Sequence, residues 1–460
     1  MSQAIEQPTL LWTEQEQPAE RHGQGWVYFF IILQTVCALG IILPGFGIYR
    51  VFFRSAAYII TLAFLVFLKR KVPGHHPSAP LLLAVVGVLT LSYFHPDTQA
   101  LPGVAQLVLY VAVASPIVWV TRLNLTLTHF RNVITLFWAF SSLGAFVGLL
   151  QVYYPDTFTP DVTVVYSGRG VEEALGVVLA SGERVLRPMG LSDVPGGAGF
   201  AGYYAVVFAI GLILSDAGKW TKRLALASIP IGLFIIYMSM VRSVLVISVI
   251  SQVVLAFCLL RQGKIKLLNK VLLIVGVMTL VGLSTAFTTG GDTIYLRVMS
   301  LFEQSPVEVY NVNRGSFVRR TFLEYLPQYP FGAGAGRWGM MHYYFGPKGL
   351  YDRSMWAEIN WTGWVYDGGI FLIAANVAML SAAMWFAWSL ARDRNRGNIA
   401  IWAAIVFAYN MGILAMTFVG NPFVAGVGMD FWLLNGALFA AHRYDLATQP
   451  SINADQRGAT

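Results

Sequence analysis

Apolar residues in this chain come in long uninterrupted stretches, and polar residues are confined between them. Each stretch is close to the length of about 20 residues that a helix needs to cross a hydrocarbon core. They fall at 26–45, 52–68, 79–95, 103–121, 132–153, 198–215, 224–241, 243–260, 271–288, 361–388, 399–418 and 427–441. The pattern predicts an all-α fold, a polytopic transmembrane helix bundle of about 12 spans. Several stretches are short or interrupted by glycine, so the count runs from about eleven to thirteen. A tail at 1–25 precedes the transmembrane region at 26–441, and a second tail follows at 442–460. Two long segments between spans, 155–197 and 289–360, are expected as loops. The tail before Trp26 is polar and acidic, with Glu6, Glu14, Glu16 and Glu20. It has no basic region close to Trp26 and no small-residue cleavage site, so the first span is read as a retained helix.

Composition sharpens this picture. Of 460 residues, 56% are hydrophobic and 12% charged, where a soluble domain carries about 25% charged residues. Cys37 and Cys258 both sit inside apolar stretches, which excludes a disulfide framework. No Cys/His group has zinc-ligand spacing, and no metal or cofactor is expected. The formal net charge of +8 is scattered between spans instead of forming a nucleic-acid patch.

Charge also predicts orientation. With the N-terminus in the cytoplasm, the short inside loops hold Lys69-Arg70-Lys71, Arg122 with Arg131, Lys219 with Lys222 and Arg223, Arg261 with Lys264, Lys266 and Lys270, and Arg392, Arg394 and Arg396. The short outside segment Phe94 to Pro102 has no Lys or Arg. This is the positive-inside pattern, and it puts both long loops outside. They nevertheless carry Arg169, Arg184, Arg187, Arg297, Arg314, Arg319, Arg320, Arg337 and Arg353, against Lys348 alone. The planar guanidinium suits phosphate and carboxylate, whereas lysine is a point charge.

Several segments carry candidate chemistry. Arg187-Pro188-Met189-Gly190, followed by Ser192-Asp193 and Pro195 to Gly199, forms a proline and glycine cluster at a helix entry. Its backbone N–H groups are either an anion site beside Arg187 or simply a tight loop end. Arg242 lies between two apolar stretches, at the outer end of a predicted helical hairpin. A charge there faces a wet or protein-lined space or snorkels to headgroups. Val318, Phe322, Tyr325 and Leu326 form an apolar helical stripe, with Arg320 and Glu324 opposite and Arg314 preceding. Arg319 and Arg320 suit a solvated flank. The run Tyr329 to Gly339 alternates glycine around Arg337. It is either an anion-binding nest or a packed turn, and it lacks the spacing of a dinucleotide fingerprint. His342, Asp352, Glu358 and Asn360 precede the next span among Trp356, Trp361 and Trp364. Glu358 is the first candidate for a general base and His342 the second. Asp367 and Asp430 fall inside spans, where carboxylates pair with arginine or mark a transport path.

Four features in order give the chain a resemblance. They are Arg187-Pro188-Met189-Gly190, the turn Ser239 to Ser243 holding Arg242, the loop from Arg314 through Pro330 to Gly336, and Glu358-Ile359-Asn360 ahead of Gly368-Gly369. Together they resemble the superfamily of O-antigen ligases and Wzy-type O-antigen polymerases, bacterial membrane proteins, over about residues 180–375. The resemblance implies a GT-C-like bundle in the cytoplasmic (inner) membrane, multi-pass, with its site on the external, periplasmic side. It implies an inverting glycosyltransferase that moves a glycan from a polyprenyl-diphosphate donor onto a sugar hydroxyl of a lipid-linked acceptor, without a metal. The resemblance implies that Arg187 and Arg242 hold the diphosphate; Arg314 as a third contact and Arg337 of the glycine run are further candidates for substrate binding on the residues themselves. Export and chain-length proteins are the implied partners, and nucleic acid is not. Ligases carry a histidine beside a polar residue about ten positions before the glycine pair, and here Glu358 stands ten before Gly368 with no histidine alongside. That departure favours a polymerase of O-antigen or exopolysaccharide over a ligase acting on lipid A-core. A flippase of the same lipid-linked glycan is the alternative from another class.

Overall fold

The computed structural model describes residues 23–43, 49–69, 72–159, 176–178, 184–192, 194–300, 305–312, 314–347 and 355–448. Twelve helices of thirteen residues or more are found among them. They are α1 (Gln24–Ile42), α2 (Arg50–Phe67), α3 (Leu81–Tyr93), α4 (Ala100–Ala114), α5 (Leu127–Tyr153), α6 (Gly197–Leu214), α7 (Lys219–Met238), α8 (Arg242–Arg261), α9 (Ile265–Ser300), α13 (Asn360–Ala391), α14 (Gly397–Met416) and α15 (Gly426–Thr448). Shorter helices between α9 and α13 include α10 (Pro306–Val312), α11 (Arg314–Arg320) and α12 (Gly339–Phe345). Each stretch expected as a span falls on one of the twelve. Nine spans among the described residues are long and apolar enough to cross a bilayer, and α2 and α3 supply shorter apolar helices. The chain is a multi-pass helical membrane protein. One small exception to all-helical structure is an antiparallel ribbon, β1 (Gly176–Val178) with β2 (Arg184–Leu186), with Val177 opposite Val185.

Two boundaries differ from expectation. The stretch expected to end at 288 continues as helix to Ser300, so the long loop begins later than 289. The backbone hydrogen bonds of a helix propagate through the polar Thr288 to Asp292 segment once the preceding turns exist. In α13, the helix breaks at Gly368 and Gly369, where Gly369 has φ +59.

The core is apolar and centred on α6, the most buried of the candidate spans. It lies between α5, α7, α8 and α14. Glycines set the spacing: a Cβ on Gly202 of α6 would press on the Gly232 carbonyl of α7, and one on Gly232 would press on the Gly202 carbonyl. With no side chain between them the two backbones nearly touch, the device that brings helices together where lipid offers no hydrophobic driving force.

The helix ends sort into two sets that interlock separately. At one end Arg122 donates to the Leu65 and Leu68 carbonyls, and Arg443 to those of Thr121 and Leu123. Gln262 there donates to Ala391 and Ala400, and Arg394 to Arg261. Arg122 and Arg394 thereby cap last-turn carbonyls of α2 and α8 that a helix leaves unpaired. At the opposite, loop-rich end, Asn360 N–H donates to Thr417 and Gly420, and Asn421 donates to the Ala357 carbonyl. Among the described residues, the candidate chemistry other than Asp367 and Asp430, which lie within the bundle, belongs to segments at the loop-rich end.

Candidate functional site

The site is built on the first turn of α6. The chain leaves β2 at Leu186, presents Arg187, and turns sharply through Gly190 (φ +64) into Gly196 (φ +78). The sequence left two uses open for the N–H groups of this turn. The structure assigns them to the protein. Met189 and Gly190 both donate to Gln151 Oε1 at 2.8 Å, and Gln151 Nε2 donates back to the Gly190 carbonyl at 3.1 Å. Ala198 N–H donates to the Pro188 carbonyl. The Met189, Gly190 and Ala198 N–H groups are therefore taken by the protein, and the group of this turn that carries charge toward an anion is the Arg187 side chain. Gln151, buried in α5, was not recognised from sequence. A lone glutamine in an apolar stretch gives no signal of the loop it will hold.

Arg187 is half-buried, and its Nε lacks a hydrogen-bond partner among the described residues. Its guanidinium is pulled below the ordinary arginine pKa, first by burial and then by the positive charge of Arg314. Two cations close enough to repel, one of them partly desolvated, form an arrangement that a bound anion would relieve.

Arg314 opens α11 and pairs with Glu358, its Nη1 donating to Glu358 Oε2. The other carboxylate oxygen accepts from Trp356 Nε1 at 2.7 Å. Both oxygens are thus held, two residues before α13 begins. Arg314 is thus ion-paired to Glu358 and within electrostatic reach of Arg187, a line of charge that relates the entry of α6 to the entry of α13.

Arg242 is the first residue of α8. The turn before it packs on the same α6 entry, since a Cβ on Gly196 would strike Val241 and one on Gly199 would strike Ser239. Met240 in this turn has φ +56, a left-handed conformation that costs a non-glycine residue about 1–2 kcal/mol. Ser239 Oγ braces it by donating to the Ile236 carbonyl at 2.8 Å. Arg187 and Arg242 thus come from segments that pack on one helix entry.

The predicted amphipathic stripe docks on α13, but a π-turn at Thr321–Tyr325 shifts its centre. Thr321 is the buried contact, its hydroxyl 2.6 Å from that of Thr362. Phe322 packs on Trp361 and Tyr325 on Tyr366. Arg319 and Arg320 are exposed, as expected of a solvated flank.

Arg337 does not join the other arginines. It pairs with Asp97 at 2.9 Å and donates to the Ala333 carbonyl. The glycine run around it is a packed turn. It plugs the break in α13: Ile370 N–H donates to the Pro330 carbonyl, and Ala333 N–H to the Tyr366 carbonyl, both groups that a broken helix leaves open. A Cβ on Gly369 would collide with Pro330, and one on Gly332 would press on Gly368.

Asp367 completes the plug. It accepts from Gln106 at 2.7 Å, from Tyr110 at 3.0 Å and from Gly336 N–H at 3.1 Å. Of the two expectations for it, an arginine partner or a transport path, the first is not met: neutral donors take that place. Asp367→Ala strands those donors in the core, so it should destabilise the protein by about 3 kcal/mol or more. A thermal melt in detergent that shows no loss would contradict this anchoring role. Asp430 has one buried oxygen without a partner and forms no arginine ion pair among the described residues.

His342 lies on α12, which packs against α4, while Tyr344 of the same helix accepts from Arg54. Glu358 and His342 therefore stand on different supports, and the charge line includes Glu358. Arg169, Asp193, Asp352 and Arg353 lie outside the described residues, as does the side chain of Arg297.

No protein-family model matches the sequence, and no curated protein matches it either.

Proposed function

We propose that this protein is an inverting glycosyltransferase using a polyprenyl-diphosphate-linked glycan, with its site at the external face of a bacterial cytoplasmic membrane. Its product is a longer lipid-linked polysaccharide. The observation that carries the reading is the Arg187–Arg314 pair beside Glu358. Two crowded guanidiniums match a diphosphate, and a carboxylate adjoining them matches the proton acceptor that a sugar hydroxyl needs. The orientation rests on the positive-inside charge pattern.

In this mechanism the acceptor hydroxyl oxygen attacks the anomeric carbon opposite the diphosphate. The carbon–oxygen bond to phosphate breaks, and its electron pair stays on the leaving diphosphate. Arg187 and Arg314 stabilise that charge, with Arg242 positioned at the same helix entry. The hydroxyl proton passes to Glu358. Diphosphate binding draws Arg314 from Glu358, which frees Oε2 to accept the proton. The donor's own negative charge thereby readies the base.

Purified protein in vesicles, supplied with a labelled lipid-linked glycan, is expected to release polyprenyl diphosphate and lengthen the glycan. Transfer only to added lipid A-core would make it a ligase. Translocation of intact donor without bond cleavage would overturn the enzyme reading in favour of a flippase. Asp367, one of two residues that could support transport, is occupied in pinning the plug of α13.

A further inference from the structure

Between α8, α13 and α14 lies an apolar groove of about 620 Å³, open along one side. Phe257, Trp361, Leu380, Trp385, Trp388 and Phe418 are among its walls. On α14 it runs from Phe407 to Leu414, about 10 Å at 1.5 Å per residue, and it continues to Phe418 just past the helix end. Its two ends differ. At the inner end Phe257 stacks on Trp388, and Trp388 packs on Phe407, so aromatic rings line that end of the groove. At the loop-rich end stands Trp361, three residues after Glu358. Its indole N–H donates to Thr417 Oγ1, and its ring touches Phe418 on the groove side and Phe322 on the site side. Phe322 belongs to the turn that continues the helix begun by Arg314. Trp361 is therefore common to the groove and to the support of the charged site.

We infer that this groove holds the polyprenyl chain of the donor, with its diphosphate at Arg187 and Arg314. The inference rests on the proposed function and adds the seat of the lipid. Ordinary acyl chains could also lie in such a cleft, and what distinguishes this one is its continuity with the support of the charged site through Trp361. A cleft that begins at Trp361, on the support of the proposed diphosphate site, and ends among aromatic rings suits one chain tethered to that diphosphate. Isoprene units present flat alkenes and methyl branches, which aromatic faces and the flexible Met384 and Met411 side chains accommodate.

The test compares two synthetic donors with one glycan diphosphate, one bearing a full polyprenyl tail and one cut after the second isoprene unit. Ser381→Trp places an indole in the groove, away from the charged site. It should raise KM for the long-tailed donor about tenfold or more and leave turnover of the short-tailed donor unchanged, which also shows that the variant folds. An equal effect on both donors, or none on either, overturns the inference. A second measurement needs no catalysis. A photoreactive polyprenyl diphosphate without glycan should label the Leu380–Trp388 stretch of the unaltered protein, and unlabelled polyprenyl diphosphate should compete. Labelling of that stretch by a photoreactive phospholipid that polyprenyl diphosphate fails to displace would mean the groove binds bulk lipid, and the inference fails. Specific labelling without glycan transfer would leave the groove standing and remove the enzyme reading.

Discussion

Arg187→Met is expected to lower the glycan transfer rate by about 10²–10³-fold and at the same time raise the melting temperature of the ligand-free protein. The two effects have one cause. In the absence of an anion the Arg187 guanidinium is partly desolvated, its Nε is unpartnered, and Arg314 repels it. Methionine keeps the apolar stem and removes the charge. In the transition state the same charge faces the developing diphosphate anion, where a preorganised donor contributes about 3–4 kcal/mol. Inorganic pyrophosphate supplies an independent reading. At about one hundred times its Kd it should stabilise the native protein by about 2.7 kcal/mol and leave the variant unmoved. Arg320→Met, on the exposed flank, should change stability by no more than about 0.5 kcal/mol. A variant that loses rate and stability together would point to a structural arginine instead of a strained binding group.

Glu358→Gln should lower the rate by about 10²–10⁴-fold. Glutamine retains an oxygen for the Trp356 N–H and keeps the shape, but it loses the charge that receives the acceptor proton. Glu358→Ala adds a chemical test. Azide attacks without first losing a proton, so it should restore turnover in the alanine variant and release a glycosyl azide of inverted configuration. Failure of azide to restore any turnover would remove Glu358 from the base role. Arg314 separates positioning from charge stabilisation. If it only holds Glu358, adding Arg314→Ala to Glu358→Ala costs nothing further. If it also binds diphosphate, the double variant falls below either single one.

How far the primary sequence reaches differs between the fold and the site. Runs of about twenty apolar residues force helices, because a lipid core leaves a backbone no other way to satisfy its own donors and acceptors. The twelve helices were therefore legible from hydropathy alone. The exposed flank of Arg319 and Arg320 was legible for a similar reason, since it follows from helical period. The break in α13 was not. Two adjacent glycines mark where a helix is weak, but only the Pro330–Gly336 plug makes the break stable, and that segment arrives from more than thirty residues upstream. Asp367 looked like an arginine partner on charge alone, yet Gln106 and Tyr110 of α4 take the role.

Arginine content was likewise visible, but the partition of the arginines was not. Arg187, Arg314 and Arg337 are equivalent as residue types in loops. Arg337 is drawn off by Asp97, while Arg187 is left against Arg314 beside Glu358. Sequence by itself determined that guanidiniums would crowd the loops of a helical membrane protein, because hydropathy and residue charge are local properties. Tertiary structure decided which of them meet, because the pairing of charges depends on distances between chain segments that no local property encodes.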